Sequence, residues 1–165
     1  MKTLVPVLGD QLTATISALQ GATHADTIVL MMEVADETTY VRHHKQKLVY
    51  ILSAMRHHAA YLRDLGWTVD HITLDDPDNV GSFTGEVARA VDRHDPDRIV
   101  VTEAGEWRVQ TMLEAWDERF AIPVEIRPDR RFVASHADFD QWAEGRKGLT
   151  MEYFYRDMRR RTGLL

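Results

Sequence analysis

An apolar run near the start of the chain, residues 3–8 (TLVPVL), places the strongest constraint on the fold. It shows little alternation of apolar and polar residues, which is typical of a strand buried on both faces in a parallel sheet. Gly9 and Asp10 end the run, and Gly9 is expected to let the backbone turn sharply. Asp10 then presents a carboxylate beyond the strand's carboxyl end, where open α/β sheets bind ligands. The sequence therefore predicts a ligand pocket above Gly9 and Asp10.

Four further segments have the length and composition of strands, and segments with helical spacing separate them. The predicted strands after the first are residues 27–33, 67–74, 98–102 and 122–126. The predicted helices are residues 13–19 (capped by Thr13 or Thr15 and stopped at Gly21), residues 43–65, one opening at 81–82 and one through 109–116. Pro123 suits the last strand to a sheet edge. This alternation predicts a Rossmann-like three-layer α/β/α fold with a five-stranded parallel sheet of order 3-2-1-4-5.

Composition narrows the functional classes. The chain has 165 residues, 44% of them hydrophobic and none of them cysteine, which excludes disulfides, thiolate metal sites and iron–sulfur ligation within this segment. It contains no apolar run of membrane-spanning length and no signal-peptide pattern. We therefore expect a cytoplasmic protein with no membrane partner.

Charge and pattern both change near residue 127. Residues 1–126 carry eleven Lys/Arg and twenty Asp/Glu, whereas residues 127–165 carry nine and six. We expect an α/β domain at 1–128 and a basic C-terminal extension at 129–165. The acidic body argues against the domain being a main nucleic-acid surface, because duplex binding relies on neutralising phosphates. The basic extension could meet phosphates or an acidic partner, or could simply present a solvated helix face.

Several polar residues follow predicted strands and should meet at one edge of the sheet. Glu37, Tyr40 and His43 are three residues apart, so a helical turn would place them on one face. Asp10 and Glu106 are expected to face each other across the crevice between the first and fourth strands. Simpler interpretations remain open. Asp10 could cap a helix, and Glu37 could be an acidic residue at a helix N-terminus, where it interacts favourably with the helix dipole. His43 and His44 could be ordinary surface residues.

The same residues disfavour several kinds of chemistry. No glycine-rich dinucleotide motif or P-loop follows a strand, and no serine or cysteine lies in a nucleophile-elbow context, so no catalytic residue is assigned. A metal site is not expected, since His43 and His44 are adjacent and point in different directions on a helix. His57 and His58 are interpreted as a solvated helix face. The pocket suits a neutral, planar, polyhydroxylated ligand better than a phosphate, which the carboxylates would repel.

The order and spacing of several motifs resemble a known family over nearly the whole chain. The motifs are LGDQL (8–12), HHKQK (43–47), SAMRH (53–57), DNVGSFTGEV (78–87), TEAGEWRV (102–109), DRRF (129–132) and GRKGLTMEYFYRDMRRRTGLL (145–165). They are similar to the N-terminal domain of the photolyase-related proteins, the prokaryotic (6-4) photolyase and cryptochrome group with an iron–sulfur cluster.

The resemblance implies an antenna domain that binds 6,7-dimethyl-8-ribityllumazine and passes excitation to FAD. FAD, the [4Fe-4S] cluster and most contacts to UV-damaged DNA would belong to a C-terminal helical domain, with residues 129–165 starting the linker to it. The segment alone would not be an enzyme, whereas the parent protein would be a DNA (6-4) photolyase or a signalling relative. By the family pattern, the chromophore-binding residues are Gly9, Asp10, Met32, Val34, Glu37, Tyr40, His43, Ile51 and, as a weaker candidate, Glu106.

Two alternatives from other functional classes stay open. One is a standalone nucleotide- or flavin-binding module without a light function. The other is an interaction domain whose basic extension docks on nucleic acid or on another domain.

Overall fold

A computed structural model describes residues 1–164, which form two compact units, one over Met1–Arg127 and one from Pro128 onward. The first unit contains a five-stranded sheet of order β3-β2-β1-β4-β5 in which every neighbouring pair is parallel. The strands are β1 (Thr3–Val7), β2 (Thr27–Met32), β3 (Thr68–Ile72), β4 (Arg98–Thr102) and β5 (Val124–Arg127). The predicted α/β class, the strand order and the edge position of the last strand are confirmed.

Helices cover both sides of this sheet. They are α1 (Ala35–Thr39), α2 (Lys45–Asp64), α3 (Phe83–His94), α4 (Trp107–Glu114) and α5 (Trp116–Arg119). The predicted helix through 109–116 is thus divided in two, with Ala115 between the two parts.

The central strand β1 is buried on both faces, as its lack of alternation predicted. Leu4 packs with residues of α3 and α4, whereas Val5 and Val7 pack with α2 on the opposite face. All five residues of β1 are buried. Burial of this strand in the middle of the sheet fixes its carboxyl end, and hence Gly9 and Asp10, near the centre of one sheet edge.

The predicted helix at 13–19 is wrong. Only Ser17–Leu19 is helical, as a single 3-10 turn, and neither predicted threonine caps it. The hydroxyls of Thr13 and Thr15 instead hydrogen-bond to each other at 3.0 Å. Thr102 of β4 holds the turn in place, because its Oγ1 accepts from the backbone N–H of Ala18 at 3.0 Å. Local side-chain bonds and a tertiary contact therefore replace helical ones.

The second unit is a pair of helices, α6 (His136–Ala143) and α7 (Met151–Thr162), packed through aromatic rings. Phe154 of α7 is buried against Phe139 and Trp142 of α6, with ring centroids 5.2 Å from each. The indole Nε1 of Trp142 also donates to Asp157 at 3.0 Å. These contacts give the unit a small core of its own.

Acidic partners within the second unit engage much of its positive charge. Arg156 pairs with Glu152, Arg160 with Asp157 and Arg161 with Asp138. These pairs leave less uncompensated positive charge than the basic composition suggests, which favours the interpretation of α7 as a solvated helix face.

Among residues 1–164, no helix combines the length and the apolar character that crossing a membrane requires.

Candidate functional site

A cavity of about 420 Å³ opens at the carboxyl edge of the sheet in the first unit. Its walls come from the segments that follow β1, β2 and β4 and from one face of α2. Strand order reverses at this edge, since the chain runs outward from β1 to β2 on one side and returns to β4 on the other. Such a switch point is where open α/β sheets bind ligands, and the volume is within the range of small-molecule sites.

The structure brings all the predicted site residues to this one cavity. Its lining includes Gly9, Asp10, Met32, Val34, Glu37, Tyr40, His43, Ile51 and Glu106. The contact of each with a bound molecule stays a prediction, but the nine side chains and backbone positions are close enough to meet one ligand.

The apolar floor of the cavity explains the glycine after β1. Gly9 has a negative φ, so the left-handed conformation is not the reason for a glycine there. A Cβ at this position would lie 3.1 Å from Sδ of Met55 and 3.5 Å from Cγ2 of Ile51. The predicted turn is present at Gly9 and Asp10, where the N–H of Gln11 donates to the carbonyl of Leu8 at 2.9 Å, and Gly9 also allows the close approach of α2.

A buried charge network lies beneath the floor. Glu33, fully buried at the end of β2, accepts two hydrogen bonds from Arg56 of α2, both at 2.8 Å, and one from the backbone N–H of Leu74 at 3.0 Å. Nε2 of His71 lies 3.3 Å from the same carboxylate. Burial opposes ionisation of Glu33, but these bonds and charges outweigh it, so the pKa of Glu33 lies below its ordinary value.

Burial has a different result for the histidine beside that carboxylate. It lowers the pKa of His71, although the negative charge of Glu33 acts in the opposite direction. The ring nitrogen nearest Glu33 makes no well-formed hydrogen bond among the described residues. Burial, together with the positive charges of Arg63 and Arg56, therefore outweighs the attraction of Glu33, so the lowered pKa of His71 favours its neutral form.

The loop before α3 supports the part of the cavity that follows β2. The side-chain NH₂ of Asn79 donates to the backbone carbonyls of Glu33 and Thr73 at 2.7 and 2.8 Å. The carbonyl of Gly81 accepts from the backbone N–H of Asp36 in α1 at 2.9 Å. The DNVG segment thus holds the end of β2 and the start of α1 in position.

The rim of the cavity is polar and is organised by a residue that sequence reasoning missed. Arg108, at the start of α4, donates to both carboxylate oxygens of Glu37 at 2.9 and 2.8 Å and to Glu106 at 2.9 Å. Its guanidinium also lies over the ring of Tyr40, 4.5 Å from the centroid. The bonds to Glu37 first, and then those to Glu106, raise the pKa of Arg108 above its ordinary value.

Glu37, Tyr40 and His43 line the cavity together, but not as one helical turn. Helix α1 ends at Thr39, and His43 lies in the connection before α2. The rings of Tyr40 and His43 meet edge to face with centroids 5.2 Å apart. The three residues therefore share one cavity, although not through the helical turn that their spacing suggested.

The alternatives for the neighbouring polar residues can now be distinguished. No helix begins close after Asp10, so this residue is not a helix cap. Its Oδ2 would lie 4.0 Å from a Cβ at Gly105, which places the carboxylate beside the loop after β4. His44 caps α2, because its Nδ1 accepts from the N–H of Gln46 at 3.2 Å. His43 faces the cavity instead.

The interpretation of His57 and His58 as a solvated face is half wrong. His57 is exposed, but His58 is buried, and burial lowers its pKa. Adjacent helical residues point about 100° apart, so one of the pair can face the sheet while the other faces water. Within residues 1–164, no group of three or more His, Cys, Asp or Glu residues is arranged to hold a metal ion.

Residues 5–165 match the family described as deoxyribodipyrimidine photo-lyase-related protein. The chain belongs to this family. It is also 54% identical over 165 residues to a (6-4) photolyase of Agrobacterium fabrum (strain C58 / ATCC 33970), a match that covers 100% of this chain and 32% of that relative. The chain thus spans about a third of the length of this photolyase relative.

Some lining residues of this photolyase-related domain carried a signal in the sequence. Leu48, Ile51, Leu52 and Met55 recur at helical spacing in the sequence, and all four line the cavity from α2. Arg108 carried no such signal, because a lone arginine after a strand has many possible partners. Only the approach of Glu37, 71 residues away in sequence, identifies its role.

Proposed function

We propose that the cavity binds 6,7-dimethyl-8-ribityllumazine as an antenna chromophore. The observation that carries this proposal is the lining of the cavity: an apolar floor including Met32, Val34 and Ile51, and a rim of carboxylate, imidazole and phenol groups. A flat heteroaromatic ring fits between aliphatic walls, and a hydroxylated chain fits beside acceptors and donors. The membership of the photolyase-related family supports a role in light capture.

The charges at the rim favour an unphosphorylated ligand. Asp10, Glu37 and Glu106 contribute three carboxylates to the lining, which also includes Lys47, and Arg108 is already engaged by Glu37 and Glu106. A hydroxyl can donate to a carboxylate oxygen, whereas a phosphate there would be repelled. Each buried ligand hydroxyl left unmatched would cost about 1–3 kcal/mol, so these acceptors would orient the ribityl chain.

When bound, the lumazine would absorb light and transfer the excitation to FAD in the remaining part of a longer protein. The residues of this domain have no bond to make or break in that process. Met32 and Ile51 would exclude water from the ring, while Glu37 and His43 would hold its polar edges. FAD, a [4Fe-4S] cluster, damaged DNA and a cytoplasmic site of action belong to the proposed whole protein, which would be a (6-4) photolyase or a related photoreceptor.

The decisive experiment titrates the purified protein with the lumazine and follows chromophore fluorescence. Ile51→Trp places an indole inside the cavity and is expected to weaken binding at least about tenfold, or about 1.4 kcal/mol. Tyr50→Trp is the matched control, because Tyr50 lies next in α2 but is 75% exposed and does not line the cavity. Equal affinities for wild type and Ile51→Trp would refute the site.

The identity of the ligand is tested separately. Mass spectrometry of the molecule extracted from purified protein is expected to show a ribityl compound without phosphate. A phosphorylated nucleotide or flavin would contradict the rim chemistry and would favour the standalone nucleotide- or flavin-binding module.

A further inference from the structure

Two walls of the cavity meet through a single side chain. Glu37 belongs to the connection between β2 and α2, whereas Glu106 belongs to the connection between β4 and α4. Arg108 binds both carboxylates at once, in a bidentate geometry with Glu37. Its guanidinium also covers the ring of Tyr40. The side chain therefore joins segments that lie about seventy residues apart in sequence.

Helix α1 is a short, exposed element whose attachment to the rest of the sheet unit includes this connection. It is five residues long, and none of its residues is buried. Its threonine hydroxyls, those of Thr38 and Thr39, bond back to Ala35 of the same helix. Its firm attachments to other elements are the backbone bond from Asp36 to Gly81 and the ion pair from Glu37 to Arg108. A short helix without a buried face gains little stability from packing.

We infer that Arg108 is a positioning residue that holds α1 across the cavity and sets the rate at which a bound molecule leaves. The inference rests on the proposed function for the identity of that molecule. Arg108 does not itself line the cavity. It acts through Glu37 and Tyr40, fixing the plane of the carboxylate and the angle of the ring. Release of a ligand requires α1 to move away, and this movement separates the guanidinium from Glu37.

The chemistry of the pair predicts how the barrier responds to solution conditions. Bidentate arginine–carboxylate pairs are stronger than single ones, but the pair is partly exposed, so dissolved salt screens it. Ligand release should therefore become faster as ionic strength rises. Lysine keeps the charge but loses the planar fork, so it can replace arginine only in part.

The first experiment measures lumazine dissociation from the purified protein by stopped-flow fluorescence. Arg108→Met is expected to raise the dissociation rate about three- to tenfold and to abolish its salt dependence, with Arg108→Lys between the two. Arg93→Met is the matched control, because Arg93 binds Asp70 through a comparable exposed pair away from the cavity. A dissociation rate for Arg108→Met equal to that of wild type would overturn the inference.

A second measurement needs no ligand. Hydrogen exchange of the backbone amides at 35–40 is expected to be faster in Arg108→Met than in wild type and unchanged in Arg93→Met. Failure of wild type to bind lumazine, with faster exchange in Arg108→Met, would reject the proposed ligand but retain the role of Arg108. Unchanged exchange in Arg108→Met would reject that role whatever the ligand.

Discussion

The floor and the rim of the cavity both contain paired charges, but in opposite environments. At the floor, the carboxylate of Glu33 is wholly removed from water and pairs with Arg56, which itself is 51% exposed. At the rim, Glu37, Glu106 and Arg108 all keep contact with solvent. The same arginine–carboxylate chemistry therefore has two roles. The Glu33–Arg56 pair stabilises the fold beneath the cavity, whereas the Glu37–Arg108 pair at the rim can open for a ligand to leave.

The difference follows from the energetic alternatives open to each group. A rim carboxylate that loses its partner is solvated by water, so opening costs little. Glu33 cannot be solvated without opening the sheet, so losing its partner leaves an uncompensated charge inside the protein. We expect floor substitutions to change stability and its pH dependence, and rim substitutions to change ligand exchange.

The largest effect is expected for Arg56→Met. It removes two hydrogen bonds from buried Glu33 and should lower the free energy of unfolding by about 2–3 kcal/mol, measured by urea denaturation. The value lies toward the low end for broken buried pairs because water reaches Arg56. Arg63→Met, on the same helix, loses one exposed bond to a backbone carbonyl and should change stability by less than about 0.5 kcal/mol.

A double variant separates lost charge pairing from lost packing. Adding Glu33→Gln to Arg56→Met removes the uncompensated charge and should recover part of the lost stability. No recovery would mean that the floor does not depend on the buried charge, and the contrast with the rim would fail.

The second effect is a pH dependence that comes from His71. Its pKa in the folded protein lies below the value of about 6.5 of an unfolded chain, so the unfolded state binds the proton more readily. The free energy of unfolding should therefore decrease as pH falls below about 6.5. His71→Phe should flatten this decrease, and buried His58, whose pKa is also lowered, should account for a remaining part.

Denaturation series between about pH 7.5 and 5.5 measure this effect. His57→Gln provides the control, since His57 is exposed on α2, and it should retain the slope of wild type. If His71→Phe kept the full slope as well, the histidine beside Glu33 would not be a source of the pH sensitivity.

The smallest effect on stability is expected for Glu106→Gln. The substitution weakens an exposed contact with Arg108 but leaves the bidentate pair with Glu37 intact. Thermal denaturation should show a loss below about 0.5 kcal/mol. A loss as large as that of Arg56→Met would show that the rim pairs contribute as much to the stability of the fold as the buried pair of Glu33 does.

Much of this fold was predictable because buried strands and helix faces require apolar residues at regular positions along the chain. The uniform apolar runs of β1 and β2 identified buried parallel strands, and the spacing of α2 identified the face that contacts them. Even the place of the cavity followed, since parallel strands end together at one edge. The sequence pattern also changes near residue 127, and the division into domains there stays a prediction; the aromatic packing after it was not foreseen.

Errors occurred where a distant residue decides the local conformation. Residues 13–19 look helical, but Thr102 of β4 holds this segment as a 3-10 turn. His58 looks like its exposed neighbour in the sequence, but tertiary packing buries it. Gly9 lies in the predicted turn, but the close approach of Met55 to it was not visible in the sequence.

Local periodicity thus predicted the strands, because hydrophobic spacing is written along the chain itself. The strand order followed from the rules for parallel sheets, and the set of candidate cavity residues came from the family resemblance. The charge pairs were decided only by tertiary structure. Arg108 finds Glu37 across the cavity, and Arg56 finds Glu33 beneath it, at separations that no local pattern records. An ion pair depends on where two side chains end in space, and folding alone brings them there.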